Sequence, residues 1–447
     1  MGRRSRTHAL GLWMNGAFVG TWTLPPQGVE TLHYDADWIA SPQGRPLSLS
    51  LPFTPDNAPH RGNAVHAWFD NLLPDSQNIR ERIARRYGTA SVSAFDLLAE
   101  VGRDCVGALQ ILPEGAHPAE TASIQASPLS DAEIAQLLRD TLTPAAVGAD
   151  DEGFRISIAG AQEKTALLRF DGRWCRPHET TPTSHILKLP LGLVGNMRLD
   201  LRDSIENEWL CAEILAAYGM PVARCEPLRF EDMKVLAVER FDRRWWHPDN
   251  GAPQLIRLPQ EDLCQATRTP PYLKYEADGG PGMDTIMPLL KTSAQPEQDV
   301  RTFFQAQVLF WMLCAPDGHA KNFSLSLRPG GAYALTPLYD VLSAYPVLGE
   351  GPGRISPHRV KMAMAVRSKN PHWRMRDIQC RHWLAVGERH GVISADGGDV
   401  RSVVDDLVAR TPDALDTVQA RLPRDFPPEL ADCILKGLRD AADRLAG

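Results

Sequence analysis

Two predominantly apolar runs, residues 9–14 and 17–23, lie either side of Asn15-Gly16. Both residues tolerate positive φ, so the pattern predicts two short strands joined by a tight hairpin, with a small mixed domain starting near Ala9. In AVHAWFDNLLPDSQNIRERIARRYG the apolar spacing is helical. Trp68 and Leu72, then Ile79 and Ile83, mark buried helical faces on either side of the Pro74 interruption. GALQILPEGAHPAETAS then passes from a strand into Pro, Gly, Ala and Ser, which sets a domain edge within 113–128 and a first block of 1–125.

From Phe154 the pattern changes. Residues 155–158 and 165–170 read as strands flanking Ala159-Gly160-Ala161-Gln162-Glu163-Lys164, and 185–189 as a further strand carrying Lys188. Ser204 precedes a helix with Ile205, Trp209, Ala212 and Ala216 on one face, closed by Gly219. Strands near 222–229 and 234–241 complete a mixed-sheet block, 126–255. Beyond residue 256 the chain reads as mainly helical. Phe303, Phe304, Val308, Leu309, Trp311 and Met312 define a buried helix over 297–314, a hairpin turns at Gly330-Gly331, and helices follow near 397–410, 412–422 and 428–444. The fold class is α+β.

Composition narrows the function only a little. At 447 residues, 43% apolar and 23% charged, the chain has the make-up of a soluble protein with two or three domains. A net charge of −7 offers no global attraction to nucleic acid, although Arg80, Arg82, Arg85 and Arg86 make one helix basic, either as a solvated face or as a surface for nucleic acid or an acidic partner. The eight cysteines lack the paired spacing of a zinc site or a disulfide framework and read as reduced core thiols. MGRRSRTHALG lacks the apolar run of a secretory signal, and no stretch approaches about 18 uncharged apolar residues. A cytoplasmic protein without membrane contact is the expectation.

The chemistry concentrates in CAPDGHAKNFSL, residues 314–325, where Asp317, His319, Lys321 and Asn322 interrupt an apolar region. Eighteen residues beyond Asn322, across a hairpin, LYDVL supplies Asp340. A hairpin returns the chain to its start, so oxygens of Asp317, Asn322 and Asp340 can meet. Such a set suits Mg2+, a hard cation that retains waters and phosphate oxygens. In phosphoryl transfer Asp317 would orient or deprotonate a hydroxyl, Asn322 and Asp340 would hold the ion, and Lys321 would offset developing charge. His319 reads as a loop organiser or, in the alternative, a proton-transfer group. ATP also requires positive charge against its phosphates. Lys188 lies between apolar neighbours, and Ser157, Gly160, Gln162, Lys164 and Thr165 form a polar, glycine-containing turn suited to anionic oxygens, without the spacing of a Walker A loop.

Taken together, FRISIAGAQEKTALL, THILKLP, LAVERFDRRW, RLPQEDLC, DGHAKNFSL and LTPLYDVLSAYPVLG stand in the order found in the HipA serine/threonine kinase toxins of type II toxin-antitoxin systems, which the sequence resembles over nearly its whole length. RPLSLSLP, FDNLLPDS and FDLLAEVGRDCVGALQ are similar to that family's N-terminal domain. The resemblance implies a two-lobed, protein-kinase-like fold in which the third block, 256–447, is the helical catalytic domain. It makes Asp317 the catalytic carboxylate, with Lys321 beside it, and Asn322 and Asp340 the Mg2+ ligands. ATP contacts would come from Ser157, Ala159, Gly160, Ala161, Gln162, Lys164, Lys188, His319 and Asn322, with adenine at Glu239 and Phe241 and Gln260 nearby. Ser157 matches an autophosphorylated serine whose modification inactivates the kinase. The resemblance further implies glutamyl-tRNA synthetase as substrate, a HipB-like helix-turn-helix antitoxin as partner, and operator DNA reached mainly through that antitoxin. Pro316 departs from the family, where Thr occurs in the best-known member. Two other readings share these residues: a different Mg2+-dependent phosphotransferase acting on a small molecule or nucleic acid, and a catalytically weak subunit of an antitoxin–DNA repressor.

Overall fold

In a computed structural model that describes residues 8–118, 124–142, 159, 162–195, 197–249 and 251–447, the first hairpin forms as its Asn15-Gly16 turn predicts. His8–Met14 pairs antiparallel with Ala17–Leu24, and Asn15 and Gly16 take φ of 46° and 85°. Thr31–Tyr34 and His60–Arg61 extend the sheet on one side and Leu109–Pro113 on the other. Leu12 sits opposite Gly20 in one neighbour and Ile111 in the next, and the register with Ala17–Leu24 shifts at a bulge between Leu12 and Trp13 while that with Leu109–Pro113 runs on unbroken. Helices Asn63–Asp70 and Ala94–Val101 cover the buried face. Phe69 stacks on Trp22 with ring centroids 3.7 Å apart. Burying each such side chain stabilises by about 1.5–3 kcal/mol, so this aromatic pair anchors helix to sheet.

Pro74 separates Asn63–Asp70 from Gln77–Tyr87, where the Ser76 side chain caps the start and Gly88, at φ 64°, ends the turn. Part of the basic face on this second helix is committed within the fold. Arg80 binds Asp70 at 2.5 Å and the Pro74 carbonyl at 2.6 Å, and Arg82 pairs with Glu163.

A six-stranded sheet follows, in the order Cys225–Phe230, Met233–Glu239, His185–Lys188, Lys164–Phe170, Arg173–Pro177, Ala126–Pro128. Helix Asp131–Leu142 lays Ile134, Ala135, Leu137 and Leu138 against Leu167, Leu187, Val235 and Ala237. The residues 155–158, expected as a strand, lie outside the described residues.

The chain divides into two units, each assembled from separated segments. One comprises Met1–Leu189, Leu228–Tyr272 and Leu325–Tyr333, and the other Pro190–Pro227, Leu273–Ser324 and Ala334–Gly447. The second is built on helices Ser204–Ala217, Pro296–Met312, Cys380–His390, Val400–Arg421 and Pro428–Ala446. Where Pro412 was expected to separate two helices, Val400–Arg421 runs unbroken. Val403, Val404, Leu407, Ala414, Leu415 and Val418 form one buried stripe across the proline, and the Thr411 hydroxyl is tied to Tyr218 at 2.7 Å and to the Leu407 carbonyl at 3.0 Å. Tertiary packing on both sides outweighs the one lost hydrogen bond. All eight cysteines are free thiols. Among the described residues no helix is long and apolar enough to cross a membrane.

Candidate active site

Helix Pro296–Met312 delivers the chain to the 314–325 loop through Cys314, held at φ 50°. Burial pushes the Cys314 thiol up to about 12, so it stays protonated and packs as an apolar group. Asp317 follows with its side chain 54% exposed, whereas His319, Lys321 and Asn322 are buried. The loop is braced from within. Asn322 donates from Nδ2 to the Asp317 carbonyl at 2.7 Å, and its backbone N–H donates to the His319 carbonyl at 2.9 Å. His319 Nε2 stands 3.7 Å from Asp317 Oδ1, beyond a direct hydrogen bond.

The strands Ser324–Leu327 and Tyr333–Leu335 bring the chain back, as the hairpin reading requires. Tyr339 then closes the return: its hydroxyl donates to the Lys321 carbonyl at 2.9 Å and lies 2.6 Å from the Ser324 hydroxyl. Asp340, the next residue, adopts φ 63°. A left-handed conformation costs a non-glycine residue about 1–2 kcal/mol and persists where neighbouring structure over-determines it. Here Leu338 donates to the Pro221 carbonyl at 2.8 Å, Ala344 to the Cys314 carbonyl at 2.8 Å, and Ser343 Oγ to the Leu313 carbonyl at 2.6 Å. The chain around Asp340 is thereby tied to the start of the 314–325 loop, and through the Tyr339 hydroxyl to its end.

Lys188 lies at the end of His185–Lys188, in the central strand of its sheet, and is only 6% exposed. In the ladder it pairs directly with Lys164 on one side and Leu236 on the other. Directly opposed residues share a face, and like charges so placed are destabilising. Gln162 Nε2 donates to the Leu189 carbonyl at 2.6 Å and Leu189 N–H to the Glu163 carbonyl at 3.0 Å, which fixes the chain just before Lys164. Thr165 is buried within the strand and Ala159 is partly exposed. Ser157, Gly160 and Ala161 lie outside the described residues.

Glu239 ends its strand exposed and Phe241 is half-buried. Between them, Arg240 enters an ionic network that sequence reasoning missed. Its guanidinium binds Asp104 at 3.2 Å and Asp242 at 2.7 Å, while Arg243 and Arg257 bind the other oxygen of Asp104 at 2.8 and 2.9 Å. Thr183 adds its hydroxyl at 2.7 Å to Asp104, and the Gly107 N–H donates to Asp242 at 2.7 Å. All five charged residues are buried. Burial opposes the charge on Asp104, but the guanidiniums of Arg243, Arg257 and Arg240 hold its carboxyl well below the usual range. Burial and repulsion by Arg240 draw Arg243 down to about 10. The repeated Arg and Asp in ERFDRRW were the available signal.

Gln260 is half-buried, with its Oε1 enclosed and without a hydrogen-bond partner among the described residues. Beside it Glu261 is fully buried, accepting from Leu49 N–H at 2.8 Å and Trp68 Nε1 at 3.4 Å. Burial pushes its carboxyl up to about 8 despite these donors.

Residues 156–415 match the HipA-like C-terminal domain and residues 10–112 the HipA N-terminal domain. The chain is 35% identical over 345 residues to protein Y4mE of Sinorhizobium fredii, covering 76% of this chain and 78% of that one. It is 28% identical over 324 residues to the serine/threonine-protein kinase toxin HipA of Shewanella oneidensis, covering 70% and 69% of the two chains. The fold matches the solved complex of Shewanella oneidensis HipA, HipB and operator DNA with a TM-score of 0.76 at 22% identity, over 98% of this chain and 97% of that one. A two-domain α+β architecture with a mixed N-terminal region and a helical C-terminal region defines the class. The chain belongs to the HipA family.

Proposed function

We propose that the protein is an ATP- and Mg2+-dependent serine/threonine kinase and the toxin of a toxin-antitoxin module. The observation that carries this reading is the braced 314–325 loop, which leaves one exposed carboxylate, Asp317, among buried polar residues and is tied at its start to the Ala344 backbone and near its end to the Tyr339 hydroxyl, on either side of Asp340. Asp317 orients the acceptor hydroxyl and takes its proton. Asn322 and Asp340 offer the hard oxygen ligands that Mg2+ prefers, and the opposed Lys164 and Lys188 offer positive charge for phosphates. Mg-ATP, when bound, supplies the phosphoryl group and neutralises charge on the transferring oxygens. Lys321, Gln162 and Ala159 belong to the same nucleotide-handling set, with Glu239 and Phe241 at the adenine and Gln260 near it.

The substrate is glutamyl-tRNA synthetase, whose phosphorylation would stop charging and translation. Ser157 is the autophosphorylation site that silences the enzyme: a phosphate there carries about −1.5 to −2 charge and repels the phosphates of ATP. The Shewanella complex contains HipB and operator DNA. A HipB-like antitoxin is the corresponding partner here, and it carries the DNA contact through which the pair represses its own genes. Purified protein incubated with γ-labelled Mg-ATP and glutamyl-tRNA synthetase should label the synthetase. Label appearing only in metabolites, or in no protein of a bacterial extract, would defeat this reading.

A further inference from the structure

Asp317 has a second neighbour that no motif above includes. The Tyr275 hydroxyl donates to Asp317 Oδ1. The tyrosine ring also meets the His319 imidazole edge-on, with centroids 4.9 Å apart and planes at 84°.

The KYEADGGPG segment builds this placement. The Tyr275 carbonyl accepts from Asp278 N–H at 3.1 Å and Gly280 N–H at 3.0 Å, closing a turn in which Gly279 takes φ 101°. The Lys274 carbonyl accepts from Ala320 N–H, inside the 314–325 loop, at 3.4 Å. Glu276 pins the other side: Oε2 accepts from Ala365 N–H at 2.7 Å, and Oε1 takes Arg367 Nε and Nη2 at 3.0 and 2.6 Å. A Cβ at Gly282 would fall 2.1 Å from Glu276 Oε2, so only glycine leaves room for this clamp. Tyr275 is therefore held through its backbone, its ring and its neighbour.

A carboxylate accepts about four hydrogen bonds. The phenol occupies part of one oxygen, and more than half of the Asp317 side chain is still exposed. A free carboxylate rotates about χ2, a broad, two-fold torsion; one fixed donor removes that freedom while leaving the second oxygen available. We propose that Tyr275 is a positioning residue for phosphoryl transfer, fixing the Asp317 carboxylate so that its open oxygen receives the acceptor hydroxyl. The inference rests on the reading of Asp317 as the group that orients the acceptor.

Tyr275→Phe keeps the ring on His319 and removes only the hydroxyl. Transfer from γ-labelled Mg-ATP to glutamyl-tRNA synthetase and to casein should show kcat lower by roughly 10- to 100-fold, the scale on which misplaced catalytic groups act. KM for both substrates, Mg-ATP affinity by calorimetry and the melting temperature should stay at the wild-type values, a split that a merely structural role does not produce. Unchanged kcat overturns the proposal, as does a raised kcat, which would make the phenol a plug that the acceptor displaces. A loss shared equally with nucleotide affinity or with melting temperature overturns it too. Asp317→Asn, assayed in parallel, separates the two levels. If that variant still transfers phosphate, the reading of Asp317 fails and the inference with it; if it is silent while Tyr275→Phe matches wild type, only the inference fails.

Discussion

The Asp104 network and the Asp317 loop both concentrate charge, and they do so in opposite ways. Asp104 is buried, with three guanidiniums and a hydroxyl on its two oxygens. Asp317 is half in solvent, with one phenol on Oδ1. A carboxylate whose lone pairs are all engaged in the interior has no capacity left for a ligand and serves the fold. One that is braced through its backbone while its oxygens stay reachable can still exchange partners. Charge density alone does not mark a site; unspent hydrogen-bonding capacity does.

The sharpest way to break this contrast is to remove each carboxylate's charge. Asp104→Asn leaves three buried arginines against Asp242 alone, and unfolding in urea should show a loss of about 3–5 kcal/mol, the usual result of breaking a buried ion pair from one side. A loss below about 1 kcal/mol would place the network among the dispensable surface pairs. Asp317→Asn should do the reverse: stability within about 0.5 kcal/mol of wild type, and phosphate transfer lower by 10²- to 10⁴-fold, the range for a lost acid–base group. Expression of this variant in cells should no longer arrest growth.

Lys188 tests the cationic pair more gently. Lys188→Met removes one of two opposed ammonium groups and should weaken Mg-ATP binding about tenfold by calorimetry, with Lys164→Met weaker in effect because Lys164 is less buried. Equal affinity in all three proteins would detach the pair from the nucleotide.

The smallest effect concerns a third buried carboxyl. Glu261 has its folded value raised from 4.5 to about 8 by burial. Between those values the native state binds the extra proton, so stability is fullest below about pH 4.5 and falls as pH rises towards 8. From pH 6 to pH 7 the decline should be about 1 kcal/mol in urea titrations, and Glu261→Gln should flatten it. The same slope in both proteins would assign it to other groups.

How much of this was readable beforehand depended on sequence distance. The Asn15-Gly16 hairpin, the helix ended at Gly219 and the return of Tyr339-Asp340 to the Asp317 loop all follow from local periodicity and turn chemistry. The Asp104 network joins residues up to 153 positions apart, and Tyr275 stands 42 positions before Asp317. No periodic signal spans such gaps. Tyr275 was further concealed because KYEADGGPG reads as an ordinary polar turn, and the Pro412 break failed because packing, which periodicity does not weigh, keeps that helix whole.

The discontinuity of the two units has a consequence for synthesis. The first unit takes its last segment, Leu325–Tyr333, long after Leu189 has left the ribosome. At about 5–20 residues per second, that interval lasts roughly seven to thirty seconds. During it the nascent chain carries most of its first unit without the closing segment, and only at its end is Asp317 made. A messenger cut short, or a ribosome stalled anywhere upstream, therefore releases a fragment with no complete unit. If the proposed toxin activity holds, truncated chains of this kind should be inactive, because neither unit is complete in them.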